Sequence, residues 1–407
     1  MRNKTRQGTR GLRHALLIAG VGAGYACWAG PADFTPYAEY GVSADNNLFR
    51  LDDGGDSDNA GDGDRRRAKS DTVRHASVGV LVDWPVSRQT VHVAASASDY
   101  DYQRFDQLDH SENEIDTALD YNLGQAVSGT ARYENVRRLE DFSNRDSTDP
   151  DFMRRQRIEI DNRVEITPNW RLRTRVGHLR LDHSLNTERR FDRREDDVLV
   201  AVEYVGSADS VAGVGVEHVD GKFPGREADD MFARSFDQNE AFATFNWDYS
   251  GQSSLDARLG YTRRDNGGGG DRDFSEPTGR LQYRRALTGK TTLNAQLWRD
   301  IYSVDDVDAN YLRETALQLG LEWDYSPKLG GTVRVAHRRQ KYAALPDDAN
   351  ASRRDLVDEV GAELVYRPVR MLAFTLGARY EWRDSSETGE DYDALIGSAT
   401  VRLSLDP

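Results

Sequence analysis

The chain has 407 residues, 30% of them charged, and a formal net charge of -15; its mean hydropathy is -0.74. No run approaches the roughly 20 apolar residues of a spanning helix, which argues against a helical membrane protein. Few hydrophobic segments are long enough for the core of a soluble globular chain, whereas a membrane β-barrel needs an apolar side chain only at every second strand position. Low hydropathy by itself leaves a soluble β-solenoid open.

The N-terminus reads as a secretory signal peptide. Arg2, Lys4, Arg6, Arg10 and Arg13 form its positive region, residues 15–24 its apolar region, and Cys27-Trp28-Ala29 a small-residue cleavage site. The expected division is therefore 1–29 signal peptide and 30–407 outer-membrane barrel. Removing the five basic residues leaves a charge of about -20. The single cysteine, Cys27, lies in the signal. A lipoprotein acceptor there lacks the expected leucine and has Tyr25 two positions upstream, so lipidation is disfavoured. A mature chain cut after Ala29 has no thiol and no disulfide. An exported, Gram-negative-type protein is the natural inference.

Along the rest of the chain, strands of alternating apolar and polar residues enter short polar turns, most of them through an aromatic. These turns are Asp83-Trp84-Pro85-Val86-Ser87, Tyr121-Asn122-Leu123-Gly124-Gln125, Thr167-Pro168-Asn169-Trp170 and Tyr204-Val205-Gly206-Ser207. Tyr249-Ser250-Gly251-Gln252, Leu287-Thr288-Gly289-Lys290, Tyr325-Ser326-Pro327-Lys328 and Tyr366-Arg367-Pro368-Val369 continue the series. Their spacing of roughly 37 to 45 residues fits two strands, a tight turn and a longer loop. Aromatic rings before the short turns suit the membrane–water boundary. The expectation is an all-β chain: a transmembrane antiparallel up-and-down β-barrel with short periplasmic turns, longer acidic extracellular loops and about eighteen strands, or sixteen as the alternative. The strands fall near 35–50, 71–84, 89–104, 112–123, 126–142, 152–167, 169–183, 192–205 and 210–222. The second half runs near 236–250, 253–266, 273–287, 290–303, 311–325, 329–343, 354–367, 370–385 and 391–405. Many exceed the 9–11 residues that cross a membrane, so the wall projects beyond it.

The connections 52–69, 144–151, 221–237, 266–273, 304–310, 345–354 and 385–391 are mostly acidic and Gly-rich, and none is long enough for a globular plug. A mobile surface loop is the favoured reading of 52–69, ahead of an inward-folding constriction. Its Asp56-Ser57-Asp58-Asn59-Ala60-Gly61-Asp62-Gly63-Asp64 run lacks the spacing and closing Glu of an EF-hand, so solvation is favoured over calcium binding.

The polar faces of strands 126–183 are rich in charge. Arg155, Arg157, Glu159, Asp161, Arg163 and Glu165 alternate with Ile158, Ile160, Val164 and Ile166. Arg171, Arg173 and Arg175 follow, with Arg132 and Glu134 on the preceding strand. An Arg facing lipid near the midplane costs roughly 2–4 kcal/mol, so these side chains belong to the lumen. The candidate pore-lining residues are Arg132, Arg155, Arg157, Arg163, Arg171, Arg173 and Arg175, with the acidic Glu322, Asp324, Glu359 and Glu363. A transverse field between the two sets would select ions; simple pairing that stiffens a hydrated interior is the favoured reading for any one residue. Phe242 and Trp298 also fall on polar registers, where a girdle or bulge-shifted position is favoured over sugar stacking.

Catalysis has little support. Eight histidines are scattered, with no HExxH, GxSxG or metal-ligand spacing, and His178 and His183 near Asp182 and Ser184 are a coincidence of one strand. No cofactor, metal site or nucleic-acid patch is expected, and the acidic balance argues against nucleic acid as a partner.

The segment Phe34-Thr35-Pro36-Tyr37-Ala38-Glu39-Tyr40-Gly41-Val42-Ser43-Ala44-Asp45-Asn46-Asn47-Leu48-Phe49-Arg50-Leu51 resembles the first strand of outer-membrane barrels from exopolysaccharide biosynthesis loci that accompany exosortase/PEP-CTERM systems. That resemblance implies a non-enzymatic outer-membrane channel exporting exopolysaccharide, in contact with outer-membrane lipid and with periplasmic and inner-membrane export machinery. It supplies no catalytic residues. A general or solute-specific porin is the alternative, and a structural or adhesion barrel binding surface polymer a further one. The ending Val401-Arg402-Leu403-Ser404-Leu405-Asp406-Pro407 departs from the usual terminal aromatic: either Leu405 substitutes, assembly is signalled internally, or the last strand lies elsewhere.

Overall fold

The structure, a computed structural model, describes residues 32–52, 69–145, 147–207, 210–227, 233–248, 250–267, 273–303, 311–343 and 353–405. Strands β1 Asp33–Asp45, β2 Asp71–Val86, β3 Gln89–Tyr102, β4 His110–Leu123, β5 Val127–Leu139 and β6 Phe152–Thr167 come first. They are followed by β7 Trp170–His183, β8 Arg193–Val205, β9 Val211–Lys222, β10 Ser235–Asp248, β11 Ser253–Asn266 and β12 Phe274–Thr288. The last are β13 Thr291–Tyr302, β14 Leu312–Ser326, β15 Leu329–Tyr342, β16 Arg354–Val369, β17 Leu372–Ser385 and β18 Tyr392–Ser404. Each pairs antiparallel with its sequence neighbour, and β1 pairs with β18 from Tyr37 opposite Ser404 to Asp45 opposite Ile396. The 18-stranded sheet is thus a closed ring with no edge for another chain to extend.

Ladder partners share a face, so one inward residue sets the parity of the whole ring. On β9, Val214 and Val216 lie opposite Val202 and Val200 of β8 and opposite Ala243 and Ala241 of β10. Val214 is 64% exposed and Leu259, opposite Ala243, 69%. Apolar side chains this bare have no protein core to enter, and together they make a lipid-facing belt. The intervening positions carry the charges. Trp84, Tyr121, Trp170, Tyr204, Trp247, Trp323 and Tyr366 stand on the outer face near the short turns and form the expected girdle. Tyr249 lies outside the described residues. The turn after β2 uses Ser87 at φ 61° and that after β4 uses Gly124 at φ 70°, a left-handed backbone that lets the chain reverse in two or three residues.

Two strands end three or more residues earlier than their patterns suggest. β1 stops at Asp45 rather than residue 50, and β5 at Leu139 rather than residue 142. In both places an apolar residue of the extended pattern, Phe49 or Phe142, leaves the wall to become buried with Leu108. The last strand runs where it was expected, and the Leu405 amide still reaches the Pro36 carbonyl at 2.9 Å. Residues 53–68, including the acidic calcium-like run, and the expected signal segment lie outside the described residues.

Candidate pore lining and extracellular mouth

All eleven candidate residues fall on the inner register. Arg157 lies opposite Glu134, Arg175 opposite Asp161, and Arg173 opposite Arg163, an alignment of like charges that needs acids close by. Those acids come from the same and neighbouring strands. One chain of ion pairs runs from Glu159 to Arg157 at 2.8 Å, on to Asp197 at 3.1 Å and Arg175 at 3.5 Å. Arg175 also pairs with Glu217, which meets Arg258 at 2.5 Å; Arg258 in turn pairs with Glu240, and Glu240 accepts from the Thr278 hydroxyl at 2.8 Å. The network therefore crosses from β6 to β12. A second chain links Arg163 to Asp161 at 3.8 Å, Asp161 to Arg173 at 2.6 Å, Arg173 to Glu203 at 3.8 Å and Glu203 to Arg171 at 2.5 Å. Arg155 meets Glu134 at 2.5 Å, and Arg132 Nε donates to Asp116 at 2.9 Å.

Asp197 and Glu203 are only 5% and 4% exposed, so their charges depend on the arginines around them. The arginine ladder is neutralised where it stands, and it does not face the opposite wall as a bare cationic surface. Sequence reading missed Asp116, Asp197, Glu203, Glu217 and Glu240 as its partners, although each carries the inward parity of its strand. The acidic candidates on the far wall stay apart from the ladder. Glu322 accepts from Asn294 at 2.9 Å, Glu359 and Glu381 share Arg338 at 3.4 Å each, and Asp324 is exposed near the turn after β14. Glu363 borders a recess of about 370 Å³ at the short-turn end with Glu39, Arg367, Arg370 and Arg402.

Phe242 and Trp298 correct the favoured sequence reading, because neither belongs to a girdle. Phe242 faces inward between Gly215 and Gly260, which leave room for its ring, and Arg258 lies 3.7 Å above the ring centroid. Trp298 faces inward opposite Arg280 and Ala316, and its Nε1 donates to Glu314 at 2.8 Å.

At the end of the long connections the motif after β1 turns into the lumen. The Asn47 amide donates to Asp45 Oδ1 at 2.8 Å, and the Asn47 side chain donates to the Leu51 and Asp393 carbonyls at 2.8 and 2.9 Å. Arg50, at φ 55°, pairs with Asp45 at 2.9 Å and approaches Glu381 at 3.7 Å. Burial pulls the Arg50 pKa down, but Asp45, Asp141 and Glu381 outweigh it and hold the guanidinium above its ordinary value. Phe49 packs edge-on to Phe105 and Phe142, joining the connections after β1, β3 and β5 in one apolar cluster with Leu108. The connection after β5 then continues across the opening. Arg383 of β17 donates to the Ser143 carbonyl at 2.5 Å and to Asn144 Oδ1 at 2.7 Å, although β4, β3, β2, β1 and β18 stand between β5 and β17 in the ring. Residues 140–145 and 147–151 make this inward connection; sequence reading placed 140–142 in the strand and 144–151 in an ordinary outer loop.

An apolar outer face, a polar inner face and complete ring closure together require a membrane around the ring. A family model described as "Putative beta-barrel porin 2" matches residues 211–405, from β9 to the end of the described chain. The chain is an outer-membrane β-barrel, and its second half is similar to that porin family. The barrel resembles a BenF-like porin from Pseudomonas fluorescens Pf-5, with 11% identity and a TM-score of 0.50 over 92% of this chain and 99% of that one. It is also similar to Pseudomonas aeruginosa OpdK solved with vanillate, at 12% identity and TM-score 0.48 over 92% and 99% of the two chains. Pseudomonas aeruginosa OccK2 (OpdF) in complex with glucuronate shows 14% identity and TM-score 0.48, over 92% and 98%. No curated protein matches the barrel's sequence.

Proposed function

We propose that this barrel is a porin through which small hydrophilic solutes diffuse without chemical conversion. The observation that carries the reading is the inner face, where charged side chains are held in networks by one another. A solute can exchange hydrogen bonds along such a wall without meeting a deep binding site, which favours passage over trapping. Arg132, Arg155, Arg157, Arg163, Arg171, Arg173 and Arg175 line one side of the path, and Glu322, Asp324, Glu359 and Glu363 the other.

The porin reading is preferred to exopolysaccharide export on two grounds. The motif behind the export reading has a structural task here, since Asp45, Asn47 and Arg50 tie the β1–β18 seam. Phe49, Leu108 and Phe142, from the connections after β1, β3 and β5, also gather in one buried cluster at the mouth, which favours small solutes over a polymer. Liposome swelling with mono- to tetrasaccharides, paired with planar-bilayer conductance, tests the proposal. Swelling that declines with solute size supports a porin. A barrel that neither conducts nor admits monosaccharide, in a species whose polymer secretion stops on deletion, would overturn it in favour of export.

A further inference from the structure

Cations on the outer face near the extracellular end are often matched by an acid on the same strand. Arg180 pairs with Asp182 at 2.7 Å, Lys222 with Asp220 at 3.1 Å and Arg263 with Asp265 at 3.0 Å. Strands β13 to β16 break this habit. There Arg299, Arg313, Arg339, Lys341 and Arg354 sit on outer-register positions toward the extracellular ends. The ladder puts Lys341 directly opposite both Arg313 and Arg354, with Arg339 two positions away on the same face. One carboxylate, Glu276, serves two of the five, Arg299 at 2.6 Å and Arg313 at 2.5 Å. Arg339, Lys341 and Arg354 form no ion pair among the described residues. The acids sharing this face on β16 and β17 are Asp358, already hydrogen-bonded to His337 at 2.7 Å, and Asp384.

Like charges placed directly across a ladder repel, and an anion between them removes that cost. Four of the five are arginines, whose planar forks match the oxygens of a phosphate. The lipid-facing belt begins immediately below: Leu317, Leu319, Val333, Val335 and Val360 are exposed on the same face of the same strands. Cations at the rim directly above apolar wall have the layout of a lipid, headgroup over acyl chains. A free anion would need only the cations.

We propose that this patch on β13–β16 binds the phosphorylated sugar headgroup of an outer-leaflet lipid, with the acyl chains lying along the belt beneath. The site is separate from the lumen and independent of what passes through it.

The test titrates the detergent-purified barrel with bis-phosphorylated lipid A, with dephosphorylated lipid A and with inorganic phosphate, read by native mass spectrometry. The wild-type barrel is expected to retain the phosphorylated lipid and release the dephosphorylated one. An R339Q/K341Q/R354Q variant is expected to bind lipid A at least about tenfold more weakly, while R180Q/R263Q binds as the wild type does. Heat-modifiable gel mobility and unchanged conductance report that each variant is folded. Equal retention of the two lipids by the wild-type barrel overturns the proposal without any variant. So does equal binding of lipid A by the triple variant, and so does inorganic phosphate that binds as tightly as lipid A, which would make the patch a simple anion site.

Discussion

Arg383 and Asn144 are joined by a 2.7 Å hydrogen bond across 239 positions of sequence, and through it the connection after β5 is anchored to the far part of the ring. Arg353 also approaches Asn144 Oδ1, at 3.5 Å, and both arginines pair with Glu390, at 2.9 and 2.6 Å. The anchorage is a small cluster of charges built from Arg353, Arg383 and Glu390.

Replacing Asn144 with Ala removes one of the two acceptors that Arg383 finds on this connection, leaves the Ser143 carbonyl as the other, and keeps both arginines paired with Glu390. Single-channel current is expected to rise by roughly 1.2- to 2-fold with more open-state noise, while the unfolding temperature changes little because no ladder bond is touched. Current traces indistinguishable from wild type would mean that residues 140–151 do not restrict the path.

The apolar cluster makes a different prediction. Phe49 is 5% exposed, and truncating a buried Phe commonly costs about 3–5 kcal/mol. Because the cluster joins connections rather than strands, the loss in F49A should appear as loosening of the mouth. Proteolysis of intact barrels should cut the extracellular connections faster, with heat-modifiable mobility retained. Unchanged proteolysis would show that the connections are held without Phe49.

Arg173 lies between Asp161 at 2.6 Å and Glu203 at 3.8 Å, so R173Q leaves two lumenal carboxylates with less compensation. The reversal potential in a KCl gradient should move toward cation preference. A move toward anion preference, or none, would place the second ion-pair chain away from the conducting path.

Wall parity is tested by a matched pair. Leu259 faces lipid, and L259R should destabilise the barrel in lipid vesicles by about 2–4 kcal/mol. Thr244, on the inner face of β10, should accept arginine at much smaller cost in T244R. Equal losses in reversible urea unfolding would contradict the assigned faces.

Gly215 makes room for Phe242. A Cβ at this position would lie 2.7 Å from the Phe242 ring, 2.7 Å from the Ala201 Cβ and 2.6 Å from the Val200 carbonyl oxygen, so only the ring is movable. G215A should cost about 1–3 kcal/mol, and F242L should recover only part of it. Complete recovery would assign the whole constraint to the ring.

The strand count, the bounds of most strands and the side each residue faces were legible in the sequence because they are local. Alternation with period two is written within each strand, and the turn residues and aromatics mark its ends at the membrane boundary. Once β6 is known to place Arg157 inward, the same parity carried through β7 to β8 gives Asp197, so even the missed acids were within reach of that rule. Which partner each arginine selects was decided only by tertiary structure, since the stagger between strands determines which inward side chains come within 4 Å. The same holds for Phe49 and Phe142, whose apolar character continues the pattern of a strand although both leave the wall. A bond such as Arg383 to Asn144 has no local signature at all: it exists because ring closure brings distant segments to one opening, where a buried guanidinium takes the acceptors it finds.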